Sequence, residues 1–144
     1  MGEISWLSLV IASLIPSIMG MIYYHPKSFG TIWMKSIGLT EEDSKKQNKV
    51  VLFIVSLIMS FILSIALLNF NNSPGQEGEF DTFGHGAFHG LVVSIFISMP
   101  VMVIGGIYEL KNFKNIAINL VYWIITLALI GGVVDVMNHW PNSL

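Results

Sequence analysis

Residues 50–68 read VVLFIVSLIMSFILSIALL, an unbroken run with three serines and no charge, glycine or proline. A helix rises about 1.5 Å per residue, so a stretch of this length matches a hydrocarbon core about 30 Å thick. It is apolar all round, as a helix in lipid must be, and carries no stripe facing a soluble core. Outward from it, stretches lacking Asp, Glu, Lys and Arg recur at residues 4–24, 50–76, 82–108 and 115–134. Trimming polar and glycine-rich ends predicts four transmembrane helices near 4–24, 50–68, 88–107 and 116–136, forming one domain over residues 1–144.

Composition agrees. Hydrophobic residues make up 53% of the 144 and charged residues 11%, against roughly 25% charge in an ordinary soluble domain, and the mean hydropathy is +0.70. A soluble globular domain is excluded, and so is a disordered chain, which requires low hydrophobicity. The chain has no cysteine, which removes disulfides, thiolate metal ligands and thiol nucleophiles. Its seven basic residues are all lysine, with no arginine to read phosphates or base edges and no basic stripe, so nucleic acid is not an expected partner.

Every lysine falls between the first and second spans (Lys27, Lys35, Lys45, Lys46, Lys49) or between the third and fourth (Lys111, Lys114), while the other side holds Glu3, Glu77, Glu79 and Asp81. The positive-inside rule then puts both lysine loops in the cytoplasm and both termini outside. Met1-Gly2-Glu3 is an acidic start and Tyr23-Tyr24-His25-Pro26 is no small-residue cleavage site, which favours a retained helix over a signal peptide. Tyr23, Tyr24, Trp33 and Tyr108 at one end, with Trp6 and Trp140 at the other, fit the aromatic belts of both interfaces.

After Pro26, the helical spacing of Phe29, Ile32, Trp33 and Ile37 predicts a short helix lying in the interface. Thr40 before Glu41, Glu42 and Asp43 has the pattern of an N-cap, which would start the second helix well before the membrane. Turn formers at Asn71-Asn72-Ser73-Pro74-Gly75 predict a mobile outer loop over residues 69–84. Pro16 and Pro100 each remove a hydrogen bond inside a span and predict kinks in the first and third helices. A shift of 84 positions aligns Pro16, Tyr24, Lys27 and Phe29 with Pro100, Tyr108, Lys111 and Phe113, which a duplicated hairpin would explain and chance interfacial composition would explain equally.

Chemistry-bearing residues are few. His85 and His89 sit at i, i+4, with Asp81 one turn earlier, so a continuous helix stacks them on one face. With His139 they form a candidate transition-metal set, against which stand plain interhelical hydrogen bonding and proton handling. Gly86-Ala87-Phe88-His89-Gly90 is a small-residue motif for close helix packing. Asp135, the one carboxylate adjoining a span, is expected to reach water at the interface, and no carboxylate lies well inside a span as a cation antiporter would need. Ser56, Ser60 and Ser64 form a stripe of small residues, joined by Ser13, Ser17 and Gly20, Gly105-Gly106 and Gly131-Gly132, and favour packing over a substrate path.

The run Tyr23-Tyr24-His25-Pro26-Lys27-Ser28-Phe29-Gly30, then Trp33-Met34, Gly38-Leu39 and Thr40-Glu41-Glu42-Asp43, resembles the uncharacterised bacterial membrane family known as domain of unknown function 1761. His85-Gly86 with His89-Gly90, and Asn119, Tyr122, Thr126 and Gly131, are similar to that family's second half, while Tyr23 stands where a tryptophan is more usual. The resemblance covers most of the chain. It implies four helices in a bacterial inner membrane and marks Tyr24, Pro26, Phe29, Gly30, Trp33, Gly86, Gly90, Asn119 and Tyr122 as motif positions without assigning them a role.

The residues favour a non-enzymatic integral inner-membrane protein, embedded in the lipid bilayer and packing as a homo-oligomer or as an accessory subunit of a membrane complex. No catalytic residue is identified and no cofactor is required. A small-molecule or ion transporter would need a path lined by Tyr24, Asn119, Tyr122 and the histidines. A membrane metal-binding protein or metalloenzyme would use His85, His89 and His139.

Overall fold

A computed structural model of the chain describes residues 4–71 and 82–138. The predicted outer loop falls largely on residues 72–81, and His139 and Trp140 also lie outside the described residues. The described residues contain no strand. They form α1 (Trp6–Tyr23), α2 (Gly30–Ser36), α3 (Glu41–Lys46), α4 (Lys49–Asn71), α5 (Phe83–Val93), a π-helical turn (Ser94–Ser98), α6 (Met99–Tyr108) and α7 (Phe113–Asn138). Four pieces are long and apolar enough to cross a membrane: α1, α4, the Phe83–Tyr108 unit of α5, π turn and α6, and α7. The protein is an all-α, four-helix transmembrane bundle.

Each span begins on a polar cap that occupies otherwise orphaned amides, an arrangement worth about 1 kcal/mol per helix. Ser5 Oγ accepts from the Ser8 N–H of α1 at 3.3 Å. Asn48 Oδ1 accepts from Val50 and Val51 at the start of α4. Thr82 Oγ1 accepts from His85 at the start of α5, and Asn112 Oδ1 accepts from Asn115 at 2.8 Å at the start of α7. Thr40 is a cap as expected, forming a reciprocal capping box with Asp43. The helix it opens is not the second span, however. Gln47 turns extended, and α4 starts afresh at Lys49.

The core is built around α7, whose Leu127, Ile130 and Val134 are buried against Leu9 and Ala12 of α1 and Leu67 and Leu68 of α4. Ser60 and Ser64 are buried, with Ser8, Ala12 and Ser13 of α1 equally enclosed, so the serine stripe lets α1 and α4 approach closely within the bundle. Residues 50–55 of α4 are all exposed and face outward, where lipid solvates them.

The third span is interrupted. The Met99 N–H bonds to the Ser94 carbonyl, a five-residue step, immediately before Pro100 enters α6. A proline there has no N–H for the carbonyl one turn back, and the wider π turn absorbs the lost register. By contrast, α1 runs unbroken through Pro16. The positions aligned by the 84-residue shift have unlike surroundings: Tyr24 and Phe29 pack in an aromatic cluster, whereas Tyr108 and Phe113 are 85% and 81% exposed.

The two lysine-bearing connections meet at one end of the bundle, where Asn112 Nδ2 donates to the Ser36 carbonyl at 2.8 Å and joins the connection before α7 to α2. At the opposite end Ser5 N–H donates to Asn138 Oδ1, linking the start of α1 to the end of α7.

Candidate functional site

Glycine builds the first of two polar clusters. Gly86 and Gly90 lie one turn apart on α5 and face α7. A Cβ at Gly86 would overlap the Gly131 carbonyl and the Asp135 Cβ, one at Gly90 would overlap the Leu127 carbonyl, and one at Gly131 would overlap the Gly86 carbonyl. On the next position of α7, a Cβ at Gly132 would fall 2.6 Å from Cε2 of Phe83. The two backbones are therefore in direct contact, and polar side chains beside the crossing meet. Thr82 starts the helix at Phe83, ahead of these glycines, so the imidazoles stand on a fully formed turn.

His85 and His89 are brought together with ring centroids 4.2 Å apart. His85 Nδ1 lies 3.0 Å from Asp135 Oδ2, and His89 Nδ1 lies 2.9 Å from Asn71 Oδ1. Asn71 Nδ2 in turn donates to the Gly131 carbonyl, so its Oδ1 is an acceptor and His89 carries its proton on Nδ1. Asp135 as a carboxylate sets the same Nδ1–H arrangement in His85. In their neutral forms both rings then hold the basic lone pair on Nε2. Phe70 packs edge-on against His89 at 5.5 Å.

Asp135 is only 2% exposed and Asn71 4%. The expected water-facing carboxylate is thus a buried one, covered because the glycine crossing draws α5 over it. Asn71, whose neighbours have the composition of a turn, is the last residue of α4 and the anchor for His89. Of the candidate metal set, His85 and His89 share a face, while His139 and Asp81 lie outside the described residues. Among the described residues no group of three or more His, Asp or Glu side chains is arranged to hold a metal ion.

The second cluster gathers the other motif residues at the lysine-bearing end. Asn119 Oδ1 accepts from Tyr24 Oη at 2.7 Å and from Trp33 Nε1 at 3.0 Å, and Asn119 Nδ2 donates to Asn115 Oδ1. Tyr23 Oη donates to the Ile118 carbonyl and Tyr122 Oη to the Pro16 carbonyl. Phe29 stacks on Tyr23, and Trp33 packs on Tyr24. The amphipathic helix after Pro26 is therefore α2, docked through Trp33, with Ile32 turned outward. Gly30 is required by space: a Cβ there would lie 2.9 Å from the His25 carbonyl carbon and overlap the Tyr24 carbonyl. Thr31 Oγ1 closes the turn by donating to the Pro26 carbonyl.

The residues that a transport path would string together thus form two clusters, Tyr24, Asn119 and Tyr122 at one end and the histidines at the other. The apolar layer of Leu9, Ala12, Leu127 and Ile130 lies between them. A cavity of about 240 Å³ opens between α1, α4 and α7 beside Pro16, Ser56, Ser60 and Tyr122.

Comparison with curated proteins found no match, and comparison with solved structures found none either. The family model described as a protein of unknown function, DUF1761, matches residues 7–134, which covers most of the four spans and stops one residue short of Asp135, and the chain belongs to that family.

Proposed function

We infer that this chain is a non-catalytic, multi-pass membrane protein that works by taking up and releasing one proton at the cluster of His85, His89, Asp135 and Asn71. The observation that carries this is the buried Asp135 carboxylate held 3.0 Å from an imidazole that is itself stacked on a second one. A carboxylate removed from water needs a positive partner, and histidine is the side chain that supplies and withdraws that charge near neutral pH. Two imidazolium rings at this separation would repel by roughly 4 kcal/mol at an effective dielectric constant of 20. Among the described residues, Asp135 is the carboxylate beside them.

Among the described residues, the packed helices present these groups to the pair. From α4 come Asn71 and Phe70, both uncharged, and from α7 comes Asp135. Glu77, Glu79 and Asp81 belong to the connecting segment outside the described residues. The test is ¹⁵N-histidine spectroscopy of the full chain in lipid nanodiscs between pH 8.5 and 5. One proton should enter the pair, His89 should keep its Nδ1–H tautomer, and Asp135→Asn should abolish the uptake in this range. Neutral histidines throughout, or uptake indifferent to Asp135→Asn, would overturn the inference. Stoichiometric zinc, iron or copper in the purified protein, lost in the His85→Ala, His89→Ala double variant, would replace the proton by a metal.

The accompanying placement is a bacterial inner membrane with the lysine-bearing end in the cytoplasm and both termini outside, supported by the lysine distribution. Cysteines introduced at Ser73 and Lys45 should respond oppositely to an impermeant thiol reagent in spheroplasts. The outward apolar faces of α4 and α6 are open to lipid or to a further subunit, and the native mass in nanodiscs distinguishes a monomer from a homo-oligomer.

A further inference from the structure

We propose that the cavity between α2 and the start of α7 seats the phosphate headgroup of an anionic phospholipid. The cavity measures about 400 Å³ and is lined by Ile32, Lys35, Ser36, Asn112 and Lys114, a size within the range of ordinary small-molecule sites. It lies at the lysine-bearing end of the bundle, beside a short helix whose Ile32 is turned outward. A short interfacial helix of this kind lies at headgroup depth in a bilayer.

Charge selects the ligand. Lys35 and Lys114 stand on different helices on either side of the cavity, and among the described residues neither has a carboxylate within ion-pair distance. Lys111 pairs with Glu109 and Lys46 with Asp43. No acidic residue lines the cavity. Two ammonium groups left unneutralised at a membrane interface make a site for a phosphodiester, and basic pockets between membrane helices are where such headgroups bind.

The walls are built rather than incidental. Asn112 Nδ2 holds the Ser36 carbonyl at 2.8 Å and Asn115 Nδ2 holds Ser36 Oγ at 3.1 Å, fixing α2 against the first turn of α7. That first turn belongs to a 26-residue helix, and its positive end adds to the field of the two lysines. The outward-facing Ile32 extends the polar seat with an apolar edge along which an acyl chain can run, a feature that a soluble phosphate would not use.

The test uses the full chain in detergent, titrated with dioleoyl phosphatidylglycerol or dioleoyl phosphatidylcholine and read by native mass spectrometry. The anionic lipid should be retained at least tenfold more tightly. At roughly fivefold per lysine, Lys35→Gln with Lys114→Gln should weaken it about 25-fold and abolish the preference, while the Lys35→Arg, Lys114→Arg pair should keep it. Lys45→Gln with Lys46→Gln, on α3 and outside the cavity, should leave it unchanged, and thermal melts should report all variants folded. Equal retention of the two lipids would overturn the proposal, as would an equal loss in the α3 control, which would make the attraction diffuse. Saturable binding of inorganic phosphate without lipid preference would also overturn it, since the seat would then belong to a soluble anion.

Discussion

Gly86→Ala is the sharpest probe of the contact that assembles the histidine cluster, because two opposing effects differ in size there. By helix propensity alone, replacing a glycine in a helix interior with alanine stabilises by about 1 kcal/mol. At Gly86 the new methyl group meets the Gly131 carbonyl and Asp135 Cβ, so relief requires the α5 and α7 backbones to separate. Overpacking of that kind costs about 1–3 kcal/mol. Separation also weakens the His85–Asp135 hydrogen bond, worth about 1.5–3 kcal/mol where one partner is charged. The net expectation is a loss of about 2–4 kcal/mol, read from unfolding of the purified protein in mixed micelles of increasing SDS content. Gly105→Ala supplies the control, since nothing lies within 4 Å of a Cβ built there, and it should stabilise by about 0.5–1 kcal/mol. If Gly86→Ala and Gly105→Ala shifted stability in the same direction and by similar amounts, the close crossing of α5 and α7 would be wrong.

At the other cluster, Asn119→Leu keeps the volume but strands the Tyr24 hydroxyl and Trp33 indole N–H that it accepts from. Stability should fall by about 2 kcal/mol, and the Trp33 emission should shift to the red. A single methyl group in Gly30→Ala, by colliding with the Tyr24 carbonyl, should undock α2 and produce the same red shift, whereas Gly38→Ala should leave the emission unchanged despite its left-handed backbone at φ 69°. In α3 the hydrogen bonds from Thr40 hold the Asp43 carboxyl below the usual carboxylate range. The stabilisation of α3 linked to it is therefore complete above the unfolded value of about 3.9 and is lost as pH falls through the lower folded value. Amide exchange of Asp43 and Ser44 should show protection persisting to lower pH in the parent chain than in Thr40→Ala, and identical profiles would count against the capping box.

The four spans were legible because lipid leaves a one-dimensional record: charge-free stretches of the right length, with lysines grouped by side. The docked helix after Pro26 and the Thr40 cap were legible for a related reason, since spacing and capping are local. What local patterns could not supply was the partner of each polar residue. Asp135 sits at a helix end, where a carboxylate ordinarily finds water, and its burial follows only from the mutual fit of Gly86 and Gly131 on helices far apart in sequence. Asn71 was hidden by its neighbours, because Asn71-Asn72-Ser73-Pro74 has the composition of a turn while α4 continues to its first residue. The π turn left one trace, Pro100, which announces a break in hydrogen bonding but not how the helix absorbs it. Tyr24 and Asn119 were both singled out by family resemblance, yet their hydrogen bond spans 95 positions and no spacing rule reaches that far.

Nearly every polar tie described above has one end on α7: Asn71 to Gly131, His85 to Asp135, Tyr23 to Ile118, Tyr24 and Trp33 to Asn119, and Tyr122 to Pro16. A ribosome delivers the chain from its N-terminal side, so the first three spans enter the bilayer before the helix that holds their partners exists. For that interval Tyr23 and Trp33 must find partners among headgroups, water or the insertion machinery, and the nascent bundle lacks its central element. Arrival of the fourth span converts these loose ends into a closed set in one step. The polar ties of the bundle thus depend on α7 for their completion. A chain halted before Phe113 would present a quality-control protease with a membrane protein of three spans and unfilled hydrogen-bonding positions at both faces.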